Sequence, residues 1–259
     1  MLTTQKVALV TGAHGGIGRA TAIRLASDGH IVVCADIAGT DETVAEIESA
    51  GGTALGLTLD VSKAADWDAA MATITERFGG VDLLAAVAGV VNRLSTDTVV
   101  ELTEEAWDNV LGINAKGIWL GMRAVIPSML ERGGGRIVNI ASLAAHKGLA
   151  GLASYSASKG AVEALTRQAS VEYGRKGILI NAVAPGTIET SINAAHLATP
   201  EGAAASLATT TIGRWGQPYE LAAAVAFLLN EGSFINGQVL LVDGGWDVSG
   251  GVSFDSTTM

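Results

Sequence analysis

A chain of 259 residues that is 49% hydrophobic can bury one large core, and a single α/β domain of this size is ordinary. Its net charge of -10 and the lack of any run of Lys or Arg make nucleic-acid backbones and anionic membrane surfaces poor partners. One cysteine, Cys34, rules out an intrachain disulfide and a cysteine-based metal site; no signal-peptide core or membrane-length apolar stretch is present, so the expectation is a soluble protein of the reducing cytoplasm.

In chain order, short β-branched apolar runs alternate with longer helical patterns. Strands are predicted at residues 7–10, 31–35, 54–59, 83–87, 136–140, 178–183 and 239–242. Helices are predicted between them at 16–27, 41–50, 64–78, 104–131, 154–173 and 218–229. Strand followed by helix, repeated in this way, implies a parallel sheet with helices on both faces. Two segments stand outside the alternation: 187–212, rich in Ala and Thr and read as a lid over a site, and the tail 247–259. With no linker or internal repeat, the expectation is one domain over 1–259 with its core at 6–246.

The first motif, Thr11-Gly-Ala-His-Gly-Gly-Ile-Gly18, follows the first strand and opens the first helix. Gly12, Gly16 and Gly18 allow a tight turn and close approach to a pyrophosphate, and the helix N-terminus beside Ile17 offers N–H groups to its charge. His14 lies among these glycines, with its imidazole expected toward solvent. Asp36 ends the second strand, where a dinucleotide's ribose hydroxyls would lie. Its carboxylate would accept from a 2'-hydroxyl and repel a 2'-phosphate, and Ile37, Ala38 and Gly39 add no cation, so NAD is favoured over NADP.

Further along, Tyr155-Ser-Ala-Ser-Lys159 places a phenol and an ammonium four residues apart on one helical face. Using a phenolate as a base near neutral pH requires lowering its pKa by roughly 2 to 3 units. A cation about 4 Å away supplies roughly 4 kcal/mol at an effective dielectric of about 20, so Lys159 is expected to lower the pKa of Tyr155. The same spacing also occurs by chance on solvated helices.

The ordered set Thr11-Gly-x-x-x-Gly-Ile-Gly18, Asp36, Asp60-Val61, Ala88-Gly89, Asn114, Ser142, Tyr155-x-x-x-Lys159, Pro185-Gly186 and Asp243-Gly-Gly245 closely resembles the short-chain dehydrogenase/reductases over residues 6–246. The resemblance implies a doubly wound, seven-stranded Rossmann sheet, an NAD or NADP cofactor, and a homo-oligomer, with a tetramer favoured. It implies that Tyr155 exchanges a proton with the substrate oxygen, that Ser142 fixes that oxygen, and that Lys159 holds the nicotinamide ribose. Asn114 would kink its helix and link Lys159 to solvent through water. Asp60 and Val61 would contact adenine, Ala88 and Gly89 the ribose, and Pro185, Gly186, Ile188 and Thr190 the nicotinamide side. One departure stands out: many relatives carry Asn-Asn-Ala-Gly where this chain has Ala86-Val87-Ala88-Gly89, losing polar groups that brace the sheet.

The segment 185–212 contains no Lys or Arg, and Val91, Leu143, Leu149 and Leu152 are candidate pocket residues, so an uncharged secondary alcohol or ketone is the expected substrate. Arg93, His146 and Lys147 lie near that region in sequence, with His146 expected at the surface or rim. No metal is expected. The alternatives are a reductase of carrier-protein-bound 3-oxoacyl chains, disfavoured by Asp36 and by repulsion between two acidic proteins, and a non-catalytic NAD-binding sensor, disfavoured because Tyr155 and Lys159 are both present.

Overall fold

The run Val7–Thr11 forms strand β1, buried throughout. Because side chains alternate, Val7 and Leu9 enter one hydrophobic cluster while Ala8 and Val10 enter a second on the opposite face. A strand covered on both sides needs no polar face, which explains the unbroken apolar reading. The other strands are β2 (Ile31–Asp36), β3 (Thr53–Thr58), β4 (Leu83–Ala86), β5 (Gly135–Ile140), β6 (Ile178–Pro185) and β7 (Val239–Val242). All pair in parallel, in the order β3-β2-β1-β4-β5-β6-β7. The computed structural model describes residues 5–249, so the expected tail lies outside the described residues from 250 onward.

Helices α1 (Gly16–Ser27), α2 (Asp41–Ser49) and α9 (Pro218–Asn230) cover one face, through Leu25, Ile47, Leu221 and Val225. Helices α3 (Ala64–Phe78), α5 (Gly117–Glu131) and α6 (Ala153–Tyr173) cover the other, through Trp67, Ile74, Val125, Met129 and Val162. Winding reverses between β1 and β4, and a crevice opens there beyond the carboxyl ends of the strands.

Residues 104–131, expected as one helix, run as α4 (Glu104–Leu111), a π-helical turn (Gly112–Lys116) and α5. The widened turn carries Asn114, which is fully buried. Its Oδ1 accepts from the Val90 N–H at 2.8 Å, and its Nδ2 donates to the Val90 carbonyl at 2.9 Å and to Ser158 Oγ at 3.0 Å. Residues 187–212 hold two further helices, α7 (Ala194–Leu197) and α8 (Pro200–Thr209).

The departure at Ala86 leaves a trace in the core. Ala86 pairs with Asn139 across β4 and β5. Asn139 donates to Thr166 Oγ1 at 3.0 Å, but its Oδ1 is buried without a hydrogen-bond partner in the protein. An unsatisfied buried acceptor costs about 1–3 kcal/mol. Ala86→Asn places a donor on the same face of the adjacent strand and should raise Tm by about 2–4 °C per kcal/mol recovered; thermal denaturation giving an unchanged or lower Tm would show that the added volume outweighs the bond.

Candidate active site

The site is assembled where six strand ends meet the loops that follow them. At the end of β1, Gly12 takes φ +71, and a Cβ there would lie 3.0 Å from the Ala88 backbone. A Cβ on Gly18 would collide with the Gly12 carbonyl, so both positions keep the turn tight. No side chain caps α1, and its first turn, Gly16 to Gly18, lines the cleft. Uncapped N–H groups at the positive end of a helix dipole suit a pyrophosphate. Thr11 Oγ1 accepts from the N–H groups of Val87 (3.0 Å) and Ala88 (3.1 Å), tying the first loop to the fourth.

Asp36 closes β2 at the same edge. Its Oδ2 accepts from the His14 N–H at 3.1 Å and its Oδ1 from the Ala38 N–H at 3.0 Å, which leaves acceptor capacity for ribose hydroxyls. The His14 ring is exposed as expected, yet it is also anchored: Nδ1 lies 2.6 Å from the Gly39 carbonyl, so that nitrogen carries the proton. Ile37 is 70% exposed beside the cleft. Beyond β3, Asp60 accepts from the Ser62 hydroxyl at 2.7 Å and pairs with Lys63 at 3.1 Å; these bonds hold its carboxyl below the usual range.

Ser142 follows β5 in an extended conformation, and its Oγ accepts from the Ala144 N–H at 3.1 Å. The same hydroxyl group favours the Tyr155 phenolate, pulling the phenol pKa down. Tyr155 and Lys159 sit one turn apart on α6, with Nζ 5.6 Å from the phenol ring centroid. Lys159 is only 2% exposed and donates to the Ile140 carbonyl at 2.7 Å. Burial drives its pKa down to about 8. Burial likewise pushes the Tyr155 pKa up, with the Ser142 hydrogen bond pulling the other way. This corrects the sequence expectation of a lowered phenol pKa: desolvation outweighs the help the phenolate receives.

The N-terminus of α6 is held by a residue that sequence reasoning missed. Asp97 is buried, and its carboxylate accepts from the Ser154 N–H at 2.8 Å and the Ser154 hydroxyl at 2.9 Å, while its carbonyl accepts from the Ala153 N–H at 3.1 Å. A carboxylate on a helix N-terminus is favourable both as a cap and against the dipole. It lies 57 residues before Ser154, with no local signature to reveal it. Ser158 was also missed: it accepts from Asn114 and donates to the Tyr155 carbonyl at 2.7 Å.

The strand-end loops and the first turns of α6 enclose a cleft of about 830 Å³, toward the upper end of the roughly 300–1,000 Å³ usual for small-molecule sites. Gly12, His14, Gly16, Ile17, Gly18, Asp36 and Ile37 line one part of it, and Asp60, Val61, Ala88 and Gly89 continue the wall. Ser142, Tyr155, Lys159, Pro185, Gly186, Ile188 and Thr190 line the rest, together with the expected Val91, Leu143, Leu149 and Leu152. Asn114 stands behind the wall: a Cβ on Gly89 would lie 3.2 Å from its Oδ1 and 3.4 Å from Lys159 Nζ. Arg93, His146 and Lys147 are not cleft residues. His146 pairs with Glu163 at 2.7 Å, and Lys147 reaches the Asp247 carbonyl at 3.0 Å. Asn92, Trp246, His196 and Ser206 line the cleft without having been foreseen.

A family profile described as enoyl-(acyl carrier protein) reductase matches residues 12–247. The chain belongs to the short-chain dehydrogenase/reductase family. As such it is an oxidoreductase. Its sequence is 37% identical to 2,5-dichloro-2,5-cyclohexadiene-1,4-diol dehydrogenase LinX of Sphingobium indicum, over 94% of this chain and 96% of that protein. It is 38% identical to cyclopentanol dehydrogenase of Comamonas sp., over 93% of this chain and 96% of the relative. A candidate 2-deoxy-d-gluconate 3-dehydrogenase from Agrobacterium tumefaciens, solved with bound NADP, superposes with a TM-score of 0.88 at 36% identity, covering 96% of this chain and 99% of that one. Both cofactor types therefore stay open to a short-chain dehydrogenase/reductase of this shape.

Lys159 gives this family member a pH-dependent stability. Its folded pKa of about 8 lies below the unfolded value, so between pH 8 and roughly 10.4 the unfolded chain holds a proton that the folded chain has released, and stability rises with pH. Below pH 8 the buried cation costs on the order of 3 kcal/mol, offset in part by its hydrogen bond. Lys159→Met should therefore stabilise the protein at pH 7 by about 1–2 kcal/mol, with the gap to wild type narrowing toward pH 10; urea unfolding with a pH-independent gap would contradict this.

Proposed function

We propose that the protein is an NAD-dependent dehydrogenase of uncharged, cyclic secondary alcohols and a reductase of the matching ketones. The observation that carries this reading is that Ser142, Tyr155 and buried Lys159, with Nζ 5.6 Å from the phenol ring centroid, line one cleft that also holds the Gly12 to Gly18 turn and Asp36. Among the described residues, Lys159 is the only Lys or Arg lining that cleft, which favours a substrate without charge. The relatives named for cyclopentanol and a cyclohexadienediol support a ring.

A bound nicotinamide supplies or takes up the hydride at its C4. In ketone reduction, Tyr155 enters as a neutral phenol, because burial raises its pKa, and gives its proton to the substrate oxygen. In alcohol oxidation it takes that proton back. Ser142, with one lone pair held by the Ala144 N–H, presents its hydroxyl to the same oxygen and fixes its position. Lys159, charged below about pH 8, favours the phenolate by roughly 3 kcal/mol at its distance and an effective dielectric of about 20. Asp36 accepts from the adenosine 2'-hydroxyl and repels a 2'-phosphate, which favours NAD. Asn114 keeps the loop at Gly89 in place through Val90. Residues 187–212 act as the lid, and the single buried Cys34 suits the cytoplasm.

The test pairs two variants. Tyr155→Phe should lose cyclopentanol oxidation by about a thousandfold or more while still binding NADH, because general acid–base catalysis contributes roughly 10²–10⁴-fold. Asp36→Ala should reduce the NAD over NADP preference in kcat/KM by about tenfold. Full activity in the first or an unchanged ratio in the second would sink the corresponding role.

A homotetramer is part of the same proposal. Trp107, Trp119 and Val171 are exposed on α4, α5 and α6, and Phe227 and Leu240 on α9 and β7, apolar side chains that pairing between chains would cover. Light scattering should give four chains per particle, and a monomer mass would remove the idea.

A further inference from the structure

The lid carries a polar pair that hydride transfer does not use. His196 on α7 and Ser206 on α8 line the same cleft as Tyr155 and Ser142, with His196 Nε2 and Ser206 Oγ 3.0 Å apart. The cleft is also lined by Val91, Leu143, Leu149, Leu152 and Trp246, with Asn92, Ser191 and Asn193 as further polar neighbours. The pair is held in place. The His196 carbonyl accepts from Thr199 Oγ1 at 3.0 Å, and a Cβ on Gly202 would come within 2.9 Å of His196 Nδ1, so the small residue there leaves room for the ring. Ser206 is 5% exposed, whereas His196 is open to the cleft and solvent.

A hydroxyl has one proton to give and two lone pairs, and His196 satisfies only part of that capacity. With Nε2 unprotonated, Ser206 donates to His196 and its lone pairs remain for a substrate hydroxyl. With Nε2 protonated, the imidazole donates to Ser206, whose own proton is free for a substrate carbonyl. The pair therefore accepts either oxidation state of an oxygen, and a polar contact built to pair with a substrate oxygen discriminates against substrates that lack it.

We propose that His196 and Ser206 form a specificity site for a second oxygen on the substrate, so that the preferred substrates are small ring diols, hydroxyketones or diones. This rests on the dehydrogenase reading above. The experiment compares kcat/KM for cyclohexanol and for the 1,2-, 1,3- and 1,4-cyclohexanediols in wild type, Ser206→Ala and His196→Ala, and measures binding of cyclohexanedione and cyclohexanone to the same proteins by calorimetry. Wild type should prefer at least one diol by roughly tenfold, the worth of about one well-placed hydrogen bond, and the ratio should fall toward one in either variant. If the pair merely clamps α7 to α8, both substrates suffer alike and the ratio holds, which overturns the proposal, as does a wild type that does not discriminate. If no alcohol turns over, the dehydrogenase reading fails and calorimetry decides this site alone. A selective loss of dione affinity in the variants supports it, and equal or absent dione binding overturns it.

Discussion

A positively charged amine held out of water is the constraint around which the rest of this molecule is arranged. Lys159 is anchored by one backbone carbonyl, that of Ile140 at the end of β5, and its lowered pKa reflects the cost of placing it there. Keeping that charge within reach of Tyr155 requires helix α6 to be rigid at its first turns, where helices ordinarily fray. Two devices outside the helix provide this. Asp97 binds its N-terminus from a distant loop, and Asn114, through Ser158, fixes the turn between Tyr155 and Lys159 from the opposite side.

The sheet sets the geometry within which those devices act. Parallel strands deliver Gly12, Asp36, Asp60, Ala88, Ser142 and Pro185 to one edge, and the crossover from β1 to β4 leaves a cleft between their loops. The loops are bound to one another as well as to the sheet. Thr11 ties the first to the fourth, His14 and Asp36 tie the first to the second, and Lys147 reaches the C-terminal strap at Asp247. Residues 187–212 differ in character: their helices are short, and the proposed specificity pair His196 and Ser206 sits on them.

Stability and chemistry pull apart in this arrangement. Burial raises the Tyr155 pKa and lowers that of Lys159, so the phenol is neutral in the free protein while the amine keeps its charge below about pH 8. A neutral phenol is the right starting state for donating a proton, and the nearby ammonium matters most when charge develops on the ring. The orphaned Asn139 acceptor is a separate cost, carried on β5 beside Ala86 of β4.

The sequence by itself determined the strands, most of the helices, the parallel sheet, the glycine-rich turn with Asp36, and the pairing of Tyr155 with Lys159. Each of these is written in local periodicity or in spacings of a few residues, which the backbone translates directly into shared faces and turns. The resemblance placed a kink at Asn114; only the tertiary structure decided that it takes the form of a π-helical turn, that Asp97 holds α6, that His196 meets Ser206, and that the phenol pKa moves up. Those outcomes depend on which loops come to lie side by side and on how much water is excluded between them, and neither quantity is carried by the order of residues along the chain.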